Sequence, residues 1–161
     1  MVPPNHPSLP VERNEEPPAL RSQIFTGRFE VALDRKERFC LPSPLRSDFS
    51  QGGAYITRSP DACLWIFPHG EFLRILHELQ GASLLSNSGQ LMKAYFLNSS
   101  YRTTLDSAGR LRFPPELRPG FLTRDESGRA SLVLIGSGNL IEAWPAKRYQ
   151  EHIDAMLAKQ C

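Results

Sequence analysis

From Ile24 onward the chain is built of short apolar–polar alternations and not of long helical stripes. The runs "IFTGRFEVAL" and "RFCLP" have the two-residue period of half-buried strands and are divided by a charged turn, which predicts a hairpin. "AYITRS" and "CLWIFP" flank Ser59, Pro60 and Asp61, predicting a second hairpin whose branched and aromatic residues face a core. Between them "PSPLRSDF" suits a short helical turn. The period then changes, because Phe72, Ile75, Leu76 and Leu79 recur at the spacing of an amphipathic helix.

After the Gly- and Ser-rich "GASLLSNSGQ" and a helix-like "LMKAYFLNSS", the same order starts again. "YRTTLD" and "LRFP" flank "SAGR", "PPELRPGF" follows, and "ASLVLIG" and "NLIEAWP" flank "SGN". The last helix, "AKRYQEHIDAML", carries Tyr149, Ile153 and Met156 or Leu157 on one face. Each half therefore reads strand, strand, short turn, strand, strand, helix. Asp34 and Asp106, Arg38 and Arg110, Pro42 and Pro114, and Arg46 and Arg118 are all 72 residues apart, so the chain contains an internal repeat. The spacing becomes 77 for Pro68 and Pro145 and for Phe72 and Tyr149, which places five added residues in the polar loop "TRDESGR". On this alignment Phe39 matches Leu111, Leu41 matches Phe113, and Trp65 falls near Ala143 or Trp144. The expected organisation is a first repeat over 24–80, a linker over 81–94 and a second repeat over 95–157. Residues 1–23, with prolines at 3, 4, 7, 10, 17 and 18 and no periodicity, are expected to form a flexible Pro-rich tail.

The D-x-x-x-R element between two strands in each half, the following proline and leucine-arginine, the "LWIFP" and "LIEAWP" strands, and the helix after each resemble the MraZ family. That family comprises tandem-repeat members of the AbrB-like swapped-hairpin transcription factors. The resemblance covers about residues 24–157. It implies a mainly β fold with short helices (α+β), with two pseudo-symmetric AbrB-like half-barrels in one chain. It also implies a sequence-specific DNA-binding regulator of a cell-division and cell-wall gene cluster, binding short promoter repeats on double-stranded DNA as a ring-shaped homo-oligomer. Such a protein is cytoplasmic and nucleoid-associated, and needs neither cofactor nor small-molecule substrate.

The residue types at the motif have their own logic. Gly109 tolerates a positive φ, so a tight reversal forms at little cost. Asp106 can bond backbone N–H groups in that reversal or hold an arginine. Arg110 presents a fixed fork of donors suited to phosphate or to the major-groove edge of guanine. The expected DNA contacts are Arg110, Arg38, Arg35, Lys36 and Arg112, with Asp34, Asp106 and Gly109 building the turns; Arg28, Arg46, Arg102 and Arg118 extend the basic set. The first copy departs from the pattern by placing Glu37 where the second has Gly109. At positive φ a glutamate costs about 1–2 kcal/mol, and its charge opposes a phosphate unless it pairs with Arg35 or a neighbouring subunit.

Composition changes this picture little. A net charge of +2 and a pI near 8.5 neither demand nor exclude a polyanion. Cys40, Cys63 and Cys161 form no C-x-x-C pair, and no leading apolar signal core is present, which favours a reducing cytosol. The apolar runs are too short to cross a bilayer. Ser107, His69 and Asp61 lack the spacing of a catalytic motif, Cys63 lies in an apolar strand, and "GSGN" lacks the lysine of a phosphate loop. His6, His69, His77 and His152 have no paired ligand spacing, so no metal site is expected. The other reading is a ring-forming interaction scaffold that has lost specific DNA binding.

Overall fold

In a computed structural model that describes residues 24–49, 53–81 and 86–160, the alternating stretches become short strands. The expected Pro-rich tail lies outside the described residues. The first half gives β1 (Arg28–Ala32), β2 (Arg38–Cys40), β3 (Ala54–Arg58), β4 (Leu64–Pro68) and α1 (His69–Gly81). After α2 (Asn87–Asn98) the second half gives β5 (Ser100–Thr103), β6 (Arg110–Arg112), β7 (Ser131–Gly136), β8 (Ile141–Pro145) and α3 (Ala146–Ala158). The proline-rich stretches between strands wind into 3-10 turns at Ser43–Leu45, Ser47–Phe49 and Pro115–Leu117. The fold is mainly β with short helices. Among the described residues no helix is long and apolar enough to cross a membrane.

The rear hairpins, β3 with β4 and β7 with β8, pair as their alternation predicts. The front hairpins do not pair within themselves. β1 lies antiparallel on β7, β5 on β3, and β2 on β6, so each half supplies a strand to the other. Alternation fixes which face of a strand is buried and says nothing of which strand lies beside it. The result is a six-stranded sheet in the order β1-β7-β8-β4-β3-β5 and a two-stranded ribbon of β2 and β6.

The registers follow the repeat. Phe39 faces its own counterpart Leu111, and the flanking pairs, Arg38 with Arg112 and Cys40 with Arg110, exchange when each residue is replaced by its counterpart. β4 and β8 cross at Trp65 and Glu142, so the expected match of Trp65 to Ala143 or Trp144 is corrected to Glu142. Ala54 and Leu132 both face the proline that ends the next strand, Pro68 and Pro145, and they are 78 apart. Six residues, not five, are thus added before β7, and one is missing from the β7–β8 turn, which has four residues where the β3–β4 turn has five.

The core is filled by repeat counterparts. Phe39 and Leu111, Leu41 and Phe113, Leu45 and Leu117, and Ile66 and Ala143 are each no more than 1% exposed. Phe39 stands opposite Leu111 across the ribbon, a large and a medium side chain sharing one layer of the core. α1 closes one side through Phe72, stacked on Tyr55 at 3.8 Å and on Phe96 of α2 at 5.2 Å. α3 packs Tyr149 and His152 against Trp144. α2 starts within the stretch expected as a linker, where Ser86 Oγ accepts the Gly89 N–H at 3.1 Å as an N-cap.

Candidate nucleic-acid interface

The strands on either side of each D-x-x-x-R element belong to different sheets, so the chain must reverse within a few residues. In the second turn Asp106 N–H donates to Arg110 O at 2.9 Å and Gly109 N–H to Asp106 O at 3.0 Å. Asp106 Oδ1 accepts the Ala108 and Arg110 N–H groups at 3.0 and 2.9 Å, and Oδ2 accepts Arg110 Nε–H at 2.8 Å. The first turn repeats every bond: Oδ1 of Asp34 accepts the Lys36 and Arg38 N–H groups, both at 2.9 Å, and Oδ2 accepts Arg38 Nε–H at 2.8 Å. Only a short carboxylate satisfies the reversal and an arginine together. The hydrogen bond from the arginine's backbone N–H is the largest cause that holds both carboxyls below their ordinary range. A depressed folded value means that this stabilisation is present above the ordinary carboxylate range and is lost as pH falls through the lowered one.

Pairing of β2 with β6 brings the two turns side by side, with Arg38 Nη1 3.9 Å from Asp106 Oδ2. Phe39 and Leu111 point into the core, so Arg38, Arg110, Arg112 and Cys40 occupy the opposite face of the ribbon. Arg35, Lys36 and Arg112 are exposed, whereas Arg38 and Arg110 are half-buried against their aspartates.

Gly109 has φ 78°, and a Cβ there would come within 2.5 Å of the Arg46 guanidinium. Glu37, its counterpart, adopts the same left-handed region at φ 58°. Its Oε1 pairs with Arg124, not with Arg35, and its Oε2 is buried without a hydrogen-bond partner among the described residues. Several arginines proposed to enlarge the basic surface are otherwise engaged. Arg46 Nε donates to Leu41 O and Arg118 Nη2 to Phe113 O, so this counterpart pair locks the 3-10 turns onto the ribbon. Arg28 pairs with Glu30 and lies 5.1 Å over the Tyr149 ring. Cys63 is buried, and that burial pushes its thiol up to about 12, with the Glu142 and Asp61 charges adding to it. No thiolate is available there at neutral pH.

"DESGR", from Asp125 to Arg129, is a third D-x-x-G-R element, inside the loop taken only as an insertion. Asp125 N–H donates to Arg129 O and Gly128 N–H to Asp125 O, both at 2.9 Å, while Asp125 Oδ1 accepts the Ser127 and Arg129 N–H groups at 2.9 Å. Gly128 has φ 81°. The spelling was legible, but a lone bridge of Arg124 to Ala130 replaces the flanking strand alternation that marked the other two.

Comparison with known proteins agrees with this architecture. The family model described as "MraZ protein, putative antitoxin-like" matches residues 24–93. The chain is 32% identical over 133 residues to a protein of Thermus thermophilus named "Transcriptional regulator MraZ", covering 83% of this chain and 90% of that one. Proteins of the same name from Frankia alni and Ralstonia pickettii are each 32% identical, over 82% and 84% of this chain and 88% and 92% of theirs. With similarity of that extent running through both repeats and both D-x-x-x-R turns, the chain belongs to the MraZ family.

Proposed function

We propose that this protein is a sequence-specific DNA-binding transcriptional regulator whose reading face is the β2–β6 ribbon with its two turns. The observation that carries the reading is the pair of aspartate-held arginines set side by side on one face, above Phe39 and Leu111 in the core. Each Nε is already bonded, so the guanidinium is held in one orientation and its Nη edge remains to meet a guanine or a phosphate. The aspartates cancel much of the charge of Arg38 and Arg110, which favours geometric base reading over bulk attraction. Arg35, Lys36 and Arg112 are exposed without a carboxylate partner among the described residues and suit phosphates. Double-stranded promoter repeats upstream of a cell-division and cell-wall gene cluster are the target inferred from the family, and a ring of subunits would meet them together, adding avidity. The regulator acts in the cytoplasm at the nucleoid.

Arg110→Ala tests this. With labelled duplex from upstream of the protein's own gene, binding should weaken by about 1–3 kcal/mol on the cognate site and much less on a scrambled duplex. Equal loss on both would assign Arg110 to phosphate; no loss on either would remove it from the interface. Glu37 favours a second reading, a ring-forming interaction scaffold, since its carboxylate stands in one of the two turns. A parent protein that does not distinguish cognate from scrambled DNA would select that reading.

A further inference from the structure

The six residues added before β7 do more than lengthen a loop. Leu33 N–H donates to Ala130 O at 2.9 Å, which carries the β1–β7 pairing past Ala32 and Ser131. The first turn and the Asp125–Arg129 turn therefore leave the sheet at the same end, and Arg124 reaches across to Glu37. Between the two turns lies an open cleft of about 590 Å³, whose lining includes Arg35, Glu37, Arg124, Ser127, Gly128 and Arg129.

The charges in this cleft are unequally engaged. Asp34, which also lines it, is held by Arg38, and Glu37 is neutralised by Arg124. Arg35 and Arg129 are exposed, and among the described residues their side chains make no hydrogen bond and no ion pair. Arg129 differs here from Arg38 and Arg110. Ser127 Oγ–H donates to Asp125 Oδ1 at 2.6 Å, and Arg129 hydrogen-bonds that carboxylate through its backbone N–H, its guanidinium acting on it through charge and not through a bond. Its guanidinium is left on a mobile stem, which suits a phosphate oxygen and not the fixed geometry of a base edge. Arg124, Asp125, Glu126 and Arg129 sum to no net charge, so the contact is local and small.

We propose that the Asp125–Arg129 turn is a third DNA-contacting turn, in which Arg129, across the cleft from Arg35, holds a backbone phosphate of its own beside the first reading turn. This rests on the DNA-binding reading above. It gives the first repeat a phosphate contact next to the turn that Glu37 compromises. The Asp106–Arg110 turn has no such neighbour, because in the first half only residues 50–53 separate Phe49 from β3.

The test is fluorescence anisotropy at several salt concentrations with two labelled duplexes, one from upstream of the protein's own gene and one scrambled. Arg129→Gln and Arg129→Lys are compared with the parent and with Arg110→Ala. Arg129→Gln should lower the slope of log affinity against log salt by about 0.9, the value for one phosphate, weaken both duplexes alike and leave their ratio unchanged. Arg129→Lys should restore the slope. An unchanged slope in Arg129→Gln while the parent binds overturns the third turn alone, as does a loss that lysine does not repair. A parent that binds neither duplex sinks the DNA-binding reading and the third turn with it. Melting curves of both Arg129 variants should match the parent, because the side chain makes no contact that folding needs.

Discussion

Glu37 and Gly109 are counterparts with opposite demands on the same backbone. Both lie at positive φ, at 58° and 78°, where a side chain costs about 1–2 kcal/mol. The conformation was foreseeable from Gly109 and the repeat, but the Arg124 partner, 87 residues away in sequence, was not. It belongs to an added turn that has no counterpart in the first half. Replacing Glu37 by glycine relieves the strain, removes a partly exposed ion pair worth about 0–1 kcal/mol and adds unfolded-state entropy of roughly 0.5–1 kcal/mol. These terms leave a net change between about −1 and +1.5 kcal/mol, so thermal unfolding of Glu37→Gly should move by no more than about 6 °C upward or 4 °C downward. DNA affinity should rise alike on cognate and scrambled duplexes, since a carboxylate is lost and no base contact is gained. A fall in melting temperature of more than about 4 °C would show that Arg124 contributes more through Glu37 than an exposed pair can.

At the scale of strands and turns, the ribbon of β2 and β6 shows what the sequence carries and what it lacks. The repeat matched Phe39 to Leu111 and Leu41 to Phe113 without saying which way they face, and all four are buried to 1% or less. The order of strands and helices in each half was legible, because burial and period are local properties. The exchange of β1 and β5 between halves was not, since any alternating strand fits several neighbours. The Asp-Arg turns were legible as chemistry in two copies and missed in the third, where no strands flanked "DESGR". The ribbon should be sensitive to volume above all. Leu111→Ala should lower stability by about 2–5 kcal/mol, seen as a lower urea midpoint with an unchanged slope. Exchanging the pair, Phe39→Leu with Leu111→Phe, should cost less than about 1.5 kcal/mol because the summed volume is kept. A double variant no more stable than Leu111→Ala would mean that shape, not volume, specifies this contact.

For the whole molecule, the exchange of strands leaves the two halves with one shared sheet and their helices on its outside. α2 buries Phe96 but presents Leu91 and Met92 at 71% and 64% exposure and Tyr95 at 49%. These residues border an apolar groove of about 580 Å³ whose floor includes Trp65, Phe67 and Leu140. A concentrated apolar surface of this kind on a small chain is a site of association more often than a neutral feature. If it joins subunits of the proposed ring, light scattering at micromolar concentration should give a multiple of the 18.1 kDa chain mass. Leu91→Glu with Met92→Glu should then reduce that mass without moving the melting transition of the core, because both side chains point away from it. DNA binding supplies the second readout. Loss of assembly should weaken binding to a duplex with several repeats far more than to a duplex with one, since avidity and not the individual reading face is removed. A parent chain that scatters as a monomer, or a double variant that keeps its mass, would take this groove out of the assembly.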